Sequence, residues 1–341
     1  MKKLFAAASA LAFGAVAGAA AGHATAVPPP WAYGFESPLP PGAPPTAPGP
    51  PPALDNTTLY TLPGSKFSFT QAQIASRYGP ADWFPEDHPT MPEIVARGRA
   101  SALPTIWACG LCHYPNGNGR PENANITGLS YEYFVRQLID FRDGTRQTSD
   151  QRKTNTALMA GFARAMSDEE IKAAAKYFTS IPATPWITVV ESETAPKTKA
   201  AGGMLLTLEG AEAGVEPIGE RIIETPVSAR DTDFLRNPRS GFIAYVPPGT
   251  LKKGEALVMY GVTVSEDRVT ACTVCHGTEL LGLGPVPMLA GRSPSYIVRQ
   301  LYDMQHGNRN GVWTPLMTPV LAGLGPADLL AAAAYLASLH P

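Results

Sequence analysis

The chain has 341 residues, 27 basic against 29 acidic side chains and a formal net charge of −2, with only 16% of residues charged. Domains typically run about 100–200 residues, so the length predicts two, and an apolar share of 44% is enough for a sizeable core. The low charge excludes a long coiled coil and a highly charged disordered chain. The near-neutral balance argues against nucleic acid as a partner, and four cysteines are too few for a disulfide-dense scaffold.

The chain opens on a basic Met1-Lys2-Lys3, followed by an Ala- and Gly-rich apolar stretch from Leu4 to Ala21 and then Ala24-Thr25-Ala26. This is the pattern of a signal peptide over 1–26 that is cleaved before Val27, in preference to an uncleaved anchor. Cleavage removes Lys2 and Lys3 and leaves a mature net charge of −4, from 25 basic and 29 acidic residues. The expected location is the periplasm, with no integral membrane span after cleavage. Residues 27–54 form a proline-rich extension, with twelve prolines between Pro28 and Ala53. Such a run reads as an extended strap or tether. Its Trp31, Tyr33 and Phe35 are able to dock on a partner or on the protein's own surface.

The rest is organised by an internal repeat. Cys109-Gly-Leu-Cys112-His113 recurs 163 positions later as Cys272-Thr-Val-Cys275-His276, and the same offset runs without a gap to Arg146 and Arg309. Phe134, Val135, Leu138 and Phe141 recur as Ile297, Val298, Leu301 and Met304, spaced for one face of a helix. Ser130 and Ser293 stand at its N-cap, and Gly144 and Gly307 where it stops. A closing helix follows in each copy, opened by a Ser167/Glu170 capping box in one and by Pro326 in the other. A helix is also expected before each cysteine motif, around 92–100 and 251–259. The predicted class is mainly α: two small helical domains, 55–184 and 250–341. They are joined by an insert, 185–249, with short strands over 186–190, 219–224 and 242–246.

All four cysteines lie in the two C-x-x-C-H motifs, the pattern of covalent c-type haem attachment. Two thiols one helical turn apart each form a thioether with a haem vinyl group, and the adjoining histidine then lies under the iron. A zinc site would place its C-x-x-C pairs about 15–20 residues apart. A thioredoxin-like pair needs a βαβ context, and structural disulfides leave the two identically placed histidines unexplained. His113 and His276 are therefore the proximal ligands. For the distal position the repeat selects Met159 and Met317, each eight residues before the start of the closing helix, in the expected loop. Met166 and Met304 read as core. Pro287, eleven residues after His276, offers a carbonyl to orient that ring, with Ala124 at the matched position of the first copy. Arg136 and Arg299 are expected to be solvated rather than to meet haem propionates. A polar loop between Arg146 and Met159, five residues longer than its counterpart, predicts more water at the first haem and a lower reduction potential there.

These motifs, with Pro287-Met-Leu-Ala-Gly and the run from Gln137 to Arg146, resemble class I cytochromes c, and their duplication is similar to the di-haem cytochrome c4 family. The resemblance covers about 90–183 and 250–340. It implies two covalent haems with His/Met ligation, two domains about a pseudo-two-fold, and electron transfer between periplasmic redox proteins or membrane oxidoreductases. The proline-rich front, the long insert and Ala124 depart from that family. Two other functions compete with a soluble carrier: a di-haem peroxidase-type enzyme, in which one iron lacks a distal ligand, and the cytochrome subunit of a periplasmic dehydrogenase.

Overall fold

The structure, a computed structural model, describes residues 27–40, 53–101 and 103–341. The expected signal peptide and the middle of the proline-rich extension lie outside these residues.

Each copy of the repeat builds a small helical unit. In the first, α1 (Cys109–His113) carries the cysteine motif, and α2 (Tyr131–Arg142), α3 (Thr154–Ala165) and α4 (Asp168–Thr179) follow. The Ser130 side chain caps α2 by accepting from the Tyr133 N–H. At α4 the Ser167/Glu170 capping box is complete, with bonds of 2.8 and 3.2 Å; such a cap stabilises a helix by roughly 1 kcal/mol. Phe134 of α2 stacks on Phe178 of α4 with ring centroids 6.0 Å apart, at the middle of a core that includes Leu138, Ile171 and Ala174. In the second copy the helices are α5 (Thr250–Tyr260), α6 (Thr273–His276), α7 (Pro294–Gln305), α8 (Thr314–Leu321) and α9 (Pro326–Ser338). The Ala-rich α9 is almost wholly buried and crosses α5 at Gly254. A Cβ there would lie 2.1 Å from the Ala331 carbonyl oxygen, so this crossing requires glycine.

Two expected elements differ. The helix expected over 92–100 is a single turn, Glu93–Ala96, because Gly98 takes φ +67 and the chain doubles back to pair Arg99 with Ile106. The segments holding Met159 and Met317 are helices rather than loops. Thr154–Ala165 is rich in Ala, Leu and Met, all good helix formers. Its counterpart is shorter, eight residues, and contains Pro319.

The two copies pack about a pseudo-two-fold. The strands of chain around Arg146 and Arg309, matched residues of the repeat, form an antiparallel bridge. Gln147 N–H donates to Asn308 O and Asn310 N–H to Thr145 O, both at 2.6 Å. Around that axis the side chains exchange bonds reciprocally. Arg146 reaches Gln300 (3.0 Å) and the Tyr296 hydroxyl (3.1 Å) of the other copy, and Arg309 reaches Gln137 (2.8 Å) and the Tyr133 hydroxyl (2.7 Å). The same patch thus meets itself, as in an isologous dimer interface.

The insert is a small β unit. Strand β1 (Ile187–Glu191) runs parallel to β3 (Phe242–Val246), and β2 (Ile223–Pro226) antiparallel to it, giving the order β1-β3-β2. Thr194–Pro196 pairs with Val215–Pro217, and Thr198–Ala201 with Met204–Thr207. That last hairpin turns on Gly202-Gly203, both at positive φ. The insert binds both copies. Glu224 accepts from the hydroxyls of Ser293 and Ser295 at the start of α7, where a carboxylate is favoured by the helix dipole. Residues 232–238 lie across α1: the Tyr114 hydroxyl donates to Thr232 O (3.2 Å), Asn116 to Pro238 O (3.0 Å), and Arg236 to Leu111 O. The described part of the front also folds back. Trp31 to Phe35 pack on the core of the second copy, and buried Tyr33 donates to Asp303 at 2.7 Å.

Candidate haem sites

One cavity of about 540 Å³ runs through both copies, and its wall contains both histidines, Met159 and Met317, and all four motif cysteines. The lining is mainly apolar, with Ile106, Phe134, Leu138, Phe178, Leu257 and Leu336 among it. Local sequence puts the reactive groups there. In C-x-x-C-H the one-turn helix α1 presents Cys109 and Cys112 on one side and delivers His113 at its end, and α6 does the same for the second motif.

None of the four cysteines forms a disulfide. Burial pushes Cys109 up to about 12 and Cys272 up to about 11, and it raises Cys112 as well. Both histidines are pushed down by burial, so the ring stays neutral, as a metal ligand requires. His113 Nδ1 lies 3.1 Å from Ala124 O, and His276 Nδ1 lies 2.8 Å from Pro287 O. A carbonyl oxygen only accepts, so Nδ1 carries the proton in both rings and Nε2 keeps its lone pair. This is the orientation that a second-shell carbonyl imposes on a ligating imidazole. Ala124 holds its carbonyl in place from the left-handed region, at φ +77, an unusual conformation for a residue with a Cβ. Beneath it Gly119 is essential space: a Cβ there would lie 2.5 Å from the Ala124 oxygen. Its counterpart Gly282 is pressed in the same way against Val286 O, at 2.7 Å.

The donor set fits two covalently attached haems: paired thiols beside a neutral imidazole whose free nitrogen belongs to an apolar cavity, with thioether sulfurs in the same wall. The structure places all nine expected site residues, including Pro287, at this cavity. Met166, Met288 and Met304 also line it; Met166 and Met288 are buried in the two cores. His88, His306 and His340 lie outside the wall.

Two expectations about the surroundings are overturned. Arg299 is 3% exposed, not solvated, and donates to Ala32 O and Pro121 O. Arg136 instead pairs with Asp140 on its own helix at 2.7 Å. The polar loop after Arg146 is in large part packed rather than open to water: Thr148, Asp150 and Lys153 are buried, and over 147–153 only Gln147 and Gln151 are exposed. The second site is the more exposed one. Val274 is 68% exposed and Cys275 is exposed, whereas Gly110 and Leu111 are buried beneath the insert; the two histidines are both buried. Sequence reasoning missed Lys153, Glu122 and the Tyr133/Tyr296 pair. The tyrosines occupy matched positions of the repeat, which was the available signal; the lysine has no counterpart.

No protein-family profile matches the chain. Cytochrome c-554(548) of Halomonas halodenitrificans is 39% identical over 74 residues, 21% of this chain and 89% of that protein. Cytochrome c4 of Pseudomonas aeruginosa is 24% identical over 250 residues, 72% of this chain and 89% of that protein. The thiosulfate dehydrogenase electron acceptor of Thiomonas intermedia is 27% identical over 242 residues, 70% of this chain and 82% of that protein. Two attachment motifs on matched helices and a relative spanned almost end to end lead to one conclusion: the chain belongs to the c-type cytochromes, as a di-haem electron-transfer protein similar to cytochrome c4, with two covalently bound haems.

Proposed function

We propose that the chain is a periplasmic electron carrier in which His113 and Met159 hold one iron and His276 and Met317 the other. In this reading the domains are 55–184 and 250–341, exported behind a signal peptide at 1–26. The observation that carries it is the pair of imidazoles fixed through Nδ1 on carbonyls at 3.1 and 2.8 Å in a cavity whose wall also contains the two matched methionines. With both axial positions taken, neither iron offers a substrate an open site, and the haems supply reversible one-electron chemistry. The chain's own part is to fix the rings, exclude water and hold the two sites on one rigid interface. His/Met ligation raises the potential relative to more donating ligands. Its donor and acceptor are then other periplasmic redox proteins or membrane oxidoreductases. Among the described residues no single helix is long and apolar enough to cross a membrane.

Reductive titration should take up two electrons per chain, and hydrogen peroxide should support no turnover with a reduced donor. Peroxide-dependent turnover would place the chain with the di-haem peroxidases instead. A second reading, the electron-accepting subunit of a dehydrogenase, is favoured by the name of the Thiomonas relative. Stable co-purification with a dehydrogenase from the native periplasm would decide for it.

A further inference from the structure

Five cationic side chains line the cavity: Arg146, Lys153, Arg292, Arg299 and Arg309. Three carboxylates share that wall, and each has a partner, although Glu122 is engaged through Oε1 alone and its Oε2 has none among the described residues. Glu122 is held by Arg120 at 2.5 Å, Asp140 by Arg136 at 2.7 Å, and Asp303 by the Tyr33 hydroxyl at 2.7 Å and the Ser149 N–H at 2.8 Å. Buried cations in surplus are costly in a low-dielectric interior unless an anion meets them.

Lys153 is the extreme case. It is 6% exposed, and among the described residues its Nζ has no hydrogen-bond partner. The buried arginines of the same wall each use some of their donors on oxygens: Arg292 on Asn125 and Thr127, Arg299 on Ala32 and Pro121. An ammonium has three donors and no acceptor, so Lys153 stands in the cavity wall with its bonding capacity unused. Burial pushes its pKa well down, the condition that an arriving carboxylate reverses.

Its place decides which haem it faces. Lys153 immediately precedes α3, six residues before Met159, and shares the wall with Glu122 and Asn123 of the loop that orients His113. Six residues before Met317 stands Gly311, where a Cβ would lie 2.2 Å from a carboxylate oxygen of Asp140. The second copy therefore has no room for a side chain at the matched position, and the lysine is a feature of one site alone. Arg299 comes from the other copy yet reaches the Pro121 carbonyl of the same loop at 2.6 Å.

We propose that Lys153 and Arg299 form a buried cationic seat for a propionate carboxylate of the first haem, built from both copies and present once per chain. The proposal rests on two haems being bound. Intact mass of the same sample therefore reports that premise separately from the seat.

The test is redox titration of the haem-loaded Lys153→Met variant. Loss of a cation beside the iron favours its oxidised form. One wave, the one whose spectrum also changes in Met159→Ala, should fall by a tenfold shift in its one-electron equilibrium, about 59 mV, while the other stays. Lys153→Arg should keep both waves in place and shift the propionate bending band in resonance Raman. That second variant decides the matter where Lys153→Met fails to load both haems. Unmoved waves in Lys153→Met, or an unmoved Raman band in Lys153→Arg, overturn the proposal. So does a wild-type midpoint that follows acetate concentration while that of Lys153→Met does not, since the seat would then take free carboxylate from solution.

Discussion

Replacing Arg309 by methionine tests the pseudo-two-fold interface most directly. Arg309 is 7% exposed and donates to Gln300 at 3.0 Å, to Gln137 at 2.8 Å and to the Tyr133 hydroxyl at 2.7 Å. A hydrogen bond from a charged donor contributes about 1.5–3 kcal/mol, but these three do not add. Both glutamines also accept from Arg146, at 2.9 and 3.0 Å, so only Tyr133 loses a charged partner outright. The expected cost is therefore about 2–4 kcal/mol, near one such bond plus the penalty for an orphaned buried hydroxyl. Arg146 is less buried, and its replacement should cost less, about 1–2 kcal/mol. The double variant is the decisive measurement. The two guanidinium groups share both acceptors and repel one another, so the single losses should deviate from additivity by about 0.5–3 kcal/mol. Guanidinium denaturation of the haem-loaded protein, followed by circular dichroism and by tryptophan fluorescence, gives all four corners of the cycle. A cost below about 1 kcal/mol for Arg309→Met, or strict additivity, would refute an interface held by these bonds.

Two further outcomes are expected. Met159→Ala and Met317→Ala should each abolish the methionine–iron charge-transfer band of one haem only, and Met166→Ala and Met304→Ala should abolish neither; absorption spectra of the oxidised variants check this, and the reverse pattern would transfer ligation to the other methionines. The first haem should titrate at the higher potential, opposite to the order expected from loop polarity, because its motif is buried under the insert while Val274 and Cys275 leave the second exposed. Potentiometry of the two methionine variants assigns each wave, and a second haem at or above the first would refute it.

The repeat made much of this architecture legible. A constant offset of 163 residues carries cysteines, histidines, N-cap serines and the interface arginines together, so each copy predicts the other. The helices α2, α4, α7 and α9 have both a clear apolar face and an explicit start signal, and they form near where those signals stand. Illegible were features that depend on contacts between distant segments. Nothing local in Arg299 distinguishes it from Arg136, its match; only the fold puts the Tyr33 strap and the 120–124 loop over one of them. The polarity of Gln147 to Lys153 suggested water, but Asp150 is buried and pairs with Arg152 at 2.6 Å, and the Ser149 N–H donates to Asp303 of the other copy. The strand content of the insert was underestimated because the hairpin Thr198–Thr207 alternates weakly and is pinned by Gly202-Gly203 rather than by β-branched residues.

The same asymmetry bears on why a duplicated chain retains an insert at all. Two identical haem units related by a two-fold would have equal surroundings, and an electron would gain nothing by moving between them. The reciprocal Arg–Gln–Tyr exchange preserves that symmetry at the interface. Beyond Lys153 and the longer loop before it, much of what breaks it comes from outside the repeat. The segment 232–238 covers α1 and, among the described residues, makes its hydrogen bonds there rather than at α6. Glu224 docks on α7 and not on α2. The strap carrying Tyr33 engages Asp303 and Arg299 but not Asp140 and Arg136. Added segments can change the dielectric and the charge around one iron without disturbing ligands that the repeat fixes in both. The insert thus helps to make the two sites unequal while the repeat keeps them chemically alike, which is the condition for a directed step between two haems.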